Sequence, residues 1–215
     1  MDANPLHSSL KPLYKTYNEV IKPLIADIEA RGQQFPLPLF NEIRAFNDHV
    51  AQCYWEDSTD VTISAEIHKA ERHIVRIVLD CYKYLVLFLN DKIEVFEKQT
   101  RKIDLTVINN GIFYIQYRKL KKEAVEMVRE SKRIESKNNG GSIKKFELAY
   151  NLYTELEDLI DAHNVEFKWA RVKFTFRKAL KIGLWLFAAI ISGLISLFIS
   201  CPWLKDFLNS AFSRQ

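Results

Sequence analysis

Residues 65–89 read AEIHKAERHIVRIVLDCYKYLVLFL. Within them Ile67, Ala70, Ile74, Ile77, Val78, Cys81, Leu85, Phe88 and Leu89 recur mostly at intervals of three and four. That spacing lays one apolar stripe along one helix face for about six turns. A stripe so long must be covered by other helices. The stretch therefore predicts an all-α protein, a bundle of long helices, with this one starting near Thr62.

The neighbouring segments agree. Residues 6–30 predict a helix that Pro12 and Pro23 limit or kink, and Gly32 then breaks the chain. FPLPLF (35–40) opens a second helix in which Leu39, Ile43, Phe46 and Val50 share a face; Glu56, Asp57 and Ser58 end it. In IDLTVINNGIFYIQY (103–117), Asn110-Gly111 is a hairpin signal. The flanks read better as helix, so a break at Gly111 is preferred. Helix resumes to about Ser136, and Asn138-Asn139-Gly140-Gly141 is the clearest turn in the chain. From Ser142, Ala149, Leu152, Tyr153, Leu156, Leu159, Ile160 and Phe167 form another apolar face. No breaker follows, so one nearly continuous helix over 142–201, roughly 90 Å long, is expected to join the bundle to the C-terminus.

Composition supports few, long elements. Among 215 residues there are only six Gly and six Pro, against fourteen Phe and nine Tyr. Three scattered cysteines exclude a disulfide framework or a cysteine zinc site. The net charge of +4 conceals an asymmetry: residues 1–97 hold 10 basic and 15 acidic side chains, and residues 98–181 hold 19 and 11. A basic half predicts a polyanionic partner.

Residues 182–201, IGLWLFAAIISGLISLFISC, carry no charge. Twenty helical residues span roughly 30 Å, the thickness of a bilayer core. MDANPLHSSLKPLY at the N-terminus has no signal-peptide core. Lys168, Arg171, Lys173, Arg177, Lys178 and Lys181 precede the span, while only Lys205, Asp206 and Arg214 follow it. The positive-inside rule then predicts a cytoplasmic domain (1–181), one C-terminal transmembrane helix (182–201) and a short interfacial tail (202–215) in a bacterial inner membrane. Ser192, Ser196 and Ser200 lie within about 80° of each other on the helix. They serve either close helix packing or the lining of a pore in an oligomer.

Arg118, Lys122, Arg129 and Arg133 fall within about 60° on the helix before the turn, and Lys119, Lys121 and Lys132 widen the band. Such a band is either a solvated face or a grip on the phosphates of a nucleotide or single strand. Tyr114 and Tyr117 are placed to stack on bases. Arg44 and His49 have the R-x4-H spacing of HEPN ribonucleases, although Arg44 aligns better with Asp48 as an i,i+4 ion pair. His73, Arg76 and Asp80 share one side of the third helix, as a polar network that fixes packing. His68 and His73 are badly spaced for a metal. No phosphate loop, HExxH, CxxC or nucleophile elbow occurs, so no catalytic residue, metal or cofactor is expected.

EIRAFNDHVAQC (42–53), AEIHKAERHIVRIVLDCYKYL (65–85) and KKFELAYNLYTELEDLID (144–161) together resemble small helical bacterial proteins, some with a C-terminal span. The whole plan resembles the membrane effectors of nucleotidyltransferase-linked antiphage defence, those of the Hailong type. That resemblance implies an oligomer that forms a channel or disrupts the membrane, held in check by a DNA oligomer made by the linked nucleotidyltransferase. It transfers no ligand residue. A homo-oligomer, a tetramer, is expected because one span cannot enclose a pore. A membrane-tethered HEPN-like ribonuclease and a tail-anchored adaptor are the alternatives.

Overall fold

The computed structural model describes residues 5–32, 35–200, 202, 203, 206, 207 and 210. All regular elements among them are helical. They are α1 (Pro5–Thr16), a π-helical turn (Tyr17–Ile21), α2 (Lys22–Gly32), α3 (Leu37–Gln52), α4 (Asp60–Thr100), a 3-10 turn (Leu105–Gly111), α5 (Ile112–Ile134), α6 (Asn139–Ala162) and α7 (Asn164–Ser200).

The 41-residue α4 is the spine. It starts at Asp60 because Thr59 and Thr62 cap each other: the Thr62 N–H donates to Thr59 Oγ1 and the Thr59 N–H to Thr62 Oγ1. Its stripe is buried as the spacing predicts, and continues through Ile93 and Phe96 to Thr100. Against it pack α1 to α3, with Ile21, Ile28, Leu39, Phe46 and Val50 buried, and α6, with Phe146, Ala149, Tyr153 and Leu156 buried. Each Ile, Leu, Val or Phe among these contributes about 1.5–3 kcal/mol on leaving water.

Three local readings change and one is kept. Neither proline ends the first helix. The Lys22 N–H instead donates to the Tyr17 carbonyl across a π turn, and this wider turn relieves the clash of the Pro23 ring with a regular i−4 carbonyl. The helix that FPLPLF opens ends before Glu56, at Gln52. At 105–111 the preferred break at Gly111 is kept, and no hairpin forms. Asn109, Asn110 and Gly111 all take positive φ, 45°, 51° and 86°, and the chain turns into α5 there. The Asn-Gly pair thus supplies left-handed residues to a helix–helix corner. Finally, the turn expected at 138–141 lies earlier. Asn138 caps α6 by accepting from the Gly141 N–H at 2.8 Å, so both glycines sit in its first turn.

The nearly continuous helix expected over 142–201 is interrupted once among the described residues. α6 stops at Ala162 and α7 starts at Asn164. His163 makes the break: its Nδ1–H donates to the Leu159 carbonyl at 2.9 Å, the group its own backbone N–H would use in a continuing helix. That N–H donates to Ile160 instead. α7 then runs unbroken through the expected domain boundary at 181. It is long and apolar enough to cross a membrane. Of the tail, Pro202, Trp203, Asp206, Phe207 and Ser210 are helical; the rest of the expected interfacial segment, with Cys201, lies outside the described residues.

Glu157 ties three helices together, accepting from Arg31 of α2 at 2.9 Å and Lys92 of α4 at 2.6 Å. Burial alone would raise its pKa; the hydrogen bonds from Lys92 and Arg31 outweigh burial and hold it below the usual carboxylate range. A depressed folded pKa contributes stability that is present above the unfolded value, about 4.3, and lost as pH falls through the folded one. Glu157→Gln should therefore lower the urea midpoint at neutral pH and flatten its fall below about pH 4.5. Parallel midpoint curves for the two proteins would rule out this role.

Candidate functional site

α5 rests mainly on α6, with Ser131 and Ser142 buried and hydrogen-bonded to each other. It stands off α4 and is bridged to it by long side chains. Lys83 of α4 reaches Glu135, and Glu97 of α4 accepts from Lys121 Nζ and from the Tyr117 hydroxyl at 2.7 Å. Between these bridges runs a trough. Its central cavity, about 600 Å³, has an apolar floor of Val86, Val125, Val128, Phe146 and Tyr153, with Lys83, Arg129 and Lys132 at the rim. It continues past Val125 and Arg129 into a shallower hollow of about 380 Å³ that adds Arg118, Lys121 and Lys122.

The six cations expected to bind nucleic acid divide into two groups. Arg118, Lys122, Arg129 and Lys132 line the trough. Lys119 and Arg133 are exposed outside it. The band is less neutralised than Glu123, Glu126, Glu130 and Glu135 in the same stretch suggest. Glu130 pairs with Lys145, with Arg133 a weaker neighbour, and Glu135 pairs with Lys83. Glu126 takes Arg129 at 2.8 Å on the exposed surface, a contact worth little in water. Arg118 leans over the Tyr114 ring, 5.8 Å from its centre, and donates to its hydroxyl.

Tyr117 is a correction. It is buried, 3% exposed, and packs on Phe96 and Phe113. Burial, and then its bond to Glu97, push its hydroxyl pKa up. No base can stack on it, whereas Tyr114 stays partly accessible at the surface. Spacing could not separate the two, because Glu97, the acceptor that fixes Tyr117, is twenty residues away.

The Arg44–Asp48 ion pair is also absent; Arg44 is exposed and has no partner within ion-pair distance among the described residues. His49 Nδ1 lies 2.6 Å from Glu66, and its ring stacks on His73 with centres 5.1 Å apart. His73 Nδ1 lies 2.7 Å from Glu42, which Arg76 also approaches. Sequence spacing suggests the His73–Arg76 side as a packing network; its partners are Glu42 and His49 on the facing α3. Asp80 belongs to a second cluster with Lys83 and Glu135. No group of three or more metal-binding side chains converges among the described residues.

At the far end of the trough the pair α4–α5 holds α7. Phe167 of α7 packs edge-on against Phe96 and Phe113, both at 5.0 Å, and Glu166 accepts from the Asn109 N–H at 3.0 Å. Beyond this clamp Ser192, Ser196 and Ser200 lie exposed along α7. The chain matches no protein-family model, no curated protein and no solved structure.

Proposed function

We propose that this protein is a ligand-controlled membrane effector of antiviral defence. The trough between α4 and α5 takes a phosphate-bearing ligand, a nucleotide or short single-stranded DNA, and its occupancy sets the state of the C-terminal span. One observation carries the reading: four cations of the trough and the aromatic clamp on Phe167 belong to the same pair of helices. Phosphates would bridge Arg118, Lys122, Arg129 and Lys132, while the apolar floor accepts a base. A phosphate that recruits Lys121 competes with Glu97, whose other partner is Tyr117, a neighbour of the clamp. Ligand and span are thereby linked, so each biases the other.

In this reading the span sits in the bacterial inner membrane with residues 1–181 in the cytoplasm, beside a linked nucleotidyltransferase, and the ligand inhibits. A homo-oligomer, a tetramer, provides the path through the bilayer that one helix cannot. Protease added to spheroplasts should spare the domain; its digestion from outside would show the opposite orientation. Fluorescence anisotropy with a labelled single-stranded DNA oligomer and the detergent-solubilised protein tests the ligand. Binding should weaken steeply with salt. Absence of binding at low salt would remove the nucleic-acid reading.

A further inference from the structure

α7 has two faces before it reaches the span. Phe167 and Ala170 are buried against the chain's own bundle. Val165, Trp169, Val172 and Phe176 point away from it and are 78%, 55%, 67% and 66% exposed. No charge interrupts them; Lys168 and Lys173 flank them, and the Lys173 ammonium lies 4.5 Å over the Trp169 ring. Their intervals are four, three and four, the repeat of a coiled-coil seam. The same alternation continues through Ala179, Gly183, Leu186, Ile190, Gly193 and Leu197. A Cβ at Gly183 or Gly193 would meet nothing within 4 Å in the single chain, so both are open to close approach.

We propose that this seam is the contact between copies of the chain: the α7 helices of two neighbouring copies pack in parallel through Val165, Trp169, Val172 and Phe176, and the contact runs on into the bilayer. The proposal rests on the reading of α7 as a membrane span. Three considerations single out a second copy. The seam crosses from the aqueous side into the span without changing face, and a soluble partner could not follow it there. Val165 stands roughly 25 Å along the helix before Ile182, so lipid does not reach it on an upright helix. Copies anchored in one membrane in one orientation present the same seam in parallel and at the same depth, which a heptad contact requires. Lys168 of one copy and Lys173 of the next would come close across such a pair, a repulsion that salt screens. Ser192 falls more than about 90° from this seam, whereas Ser196 takes the flanking position that Lys168 holds four heptads earlier, so the glycines serve packing and Ser192 is left to face elsewhere.

Single cysteines placed along α7 in membranes test the contact. The background carries Cys201→Ser; Cys53 and Cys81 are buried. Oxidation should give a disulfide dimer at Trp169→Cys and Val172→Cys at least about tenfold more efficiently than at Arg171→Cys or Lys181→Cys, which lie on other faces. Four outcomes overturn the proposal in protein that fractionates with the membrane. These are equal yields on all faces, no dimer at the seam, a cross-linked product of a mass other than twice the chain, and seam cysteines shielded from an impermeant maleimide yet uncrosslinked. Protein absent from the membrane fraction would instead sink the spanning reading itself. In detergent, Val172→Glu with Phe176→Glu should reduce the oligomer to monomer. Both side chains are exposed, so the bundle should keep its helical circular dichroism. An undiminished mass with that signal intact also overturns the seam.

Discussion

Phe113→Ala should cost about 3–5 kcal/mol of stability, the usual range for a large aromatic removed from a closed core. Phe113 is fully buried. Its ring touches Phe96, Tyr117, His163 and Phe167, with centres 5.0 to 6.3 Å apart. The cavity left behind lies between four elements and cannot close without moving one of them. Domains of this size have only about 5–15 kcal/mol in total, so about a fifth or more of the stability is at stake. The damage should also be directional. α7 is held to the bundle by few side chains, chiefly Phe167, Ala170 and Glu166, and the first of these rests on Phe113. Limited proteolysis should therefore open the chain near His163 before the rest unfolds. Phe113→Leu keeps most of the volume and should cost well under half as much. A destabilisation below about 1 kcal/mol for the alanine variant, by urea unfolding in detergent, would show that the clamp is not closed as described.

The trough variant, with Arg118, Lys122, Arg129 and Lys132 replaced by Ala, should bind single-stranded DNA about a thousandfold more weakly. Each exposed cation–phosphate pair is worth about 1 kcal/mol once solvent screening is allowed for, and each 1.4 kcal/mol is about tenfold. The salt slope should fall by about 0.7 for each phosphate that the variant no longer neutralises. Folding should be unaffected, because Ala is a good helix former and the four residues lie outside the core. Replacing only Lys119 and Arg133, which stand outside the trough, should weaken binding less than about tenfold. Equal effects in the two variants would mean that the ligand reads net charge and not this groove.

The bundle was legible because its signals are periodic. The stripe of α4 and the face from Leu39 to Val50 follow from spacing alone, and so does the apolar span. The break at Gly111 was legible from local chemistry, since only a few residue types accept positive φ. Side chains that replace backbone partners left no such trace. The imidazole of His163 divides α6 from α7 by occupying one carbonyl, in a stretch with neither Gly nor Pro. Asn138 draws two glycines into a helix by capping it.

The site was legible only as a band on one helix. Which cations face a groove depends on how far α5 stands from α4, and that distance is set by Lys83, Glu97 and Glu135 acting across the gap. The burial of Tyr117 depends on the same bridge. The seam on α7 has a readable rhythm, but which of its faces stays free is decided by Phe167 and Ala170 docking on the bundle.

Potassium efflux from liposomes containing the purified protein tests the account most directly. Efflux is predicted without DNA. A saturating short single-stranded oligomer should suppress it in the wild-type protein and leave the trough variant conducting. No efflux in either state, or equal suppression of both proteins, would contradict control of the span through the groove.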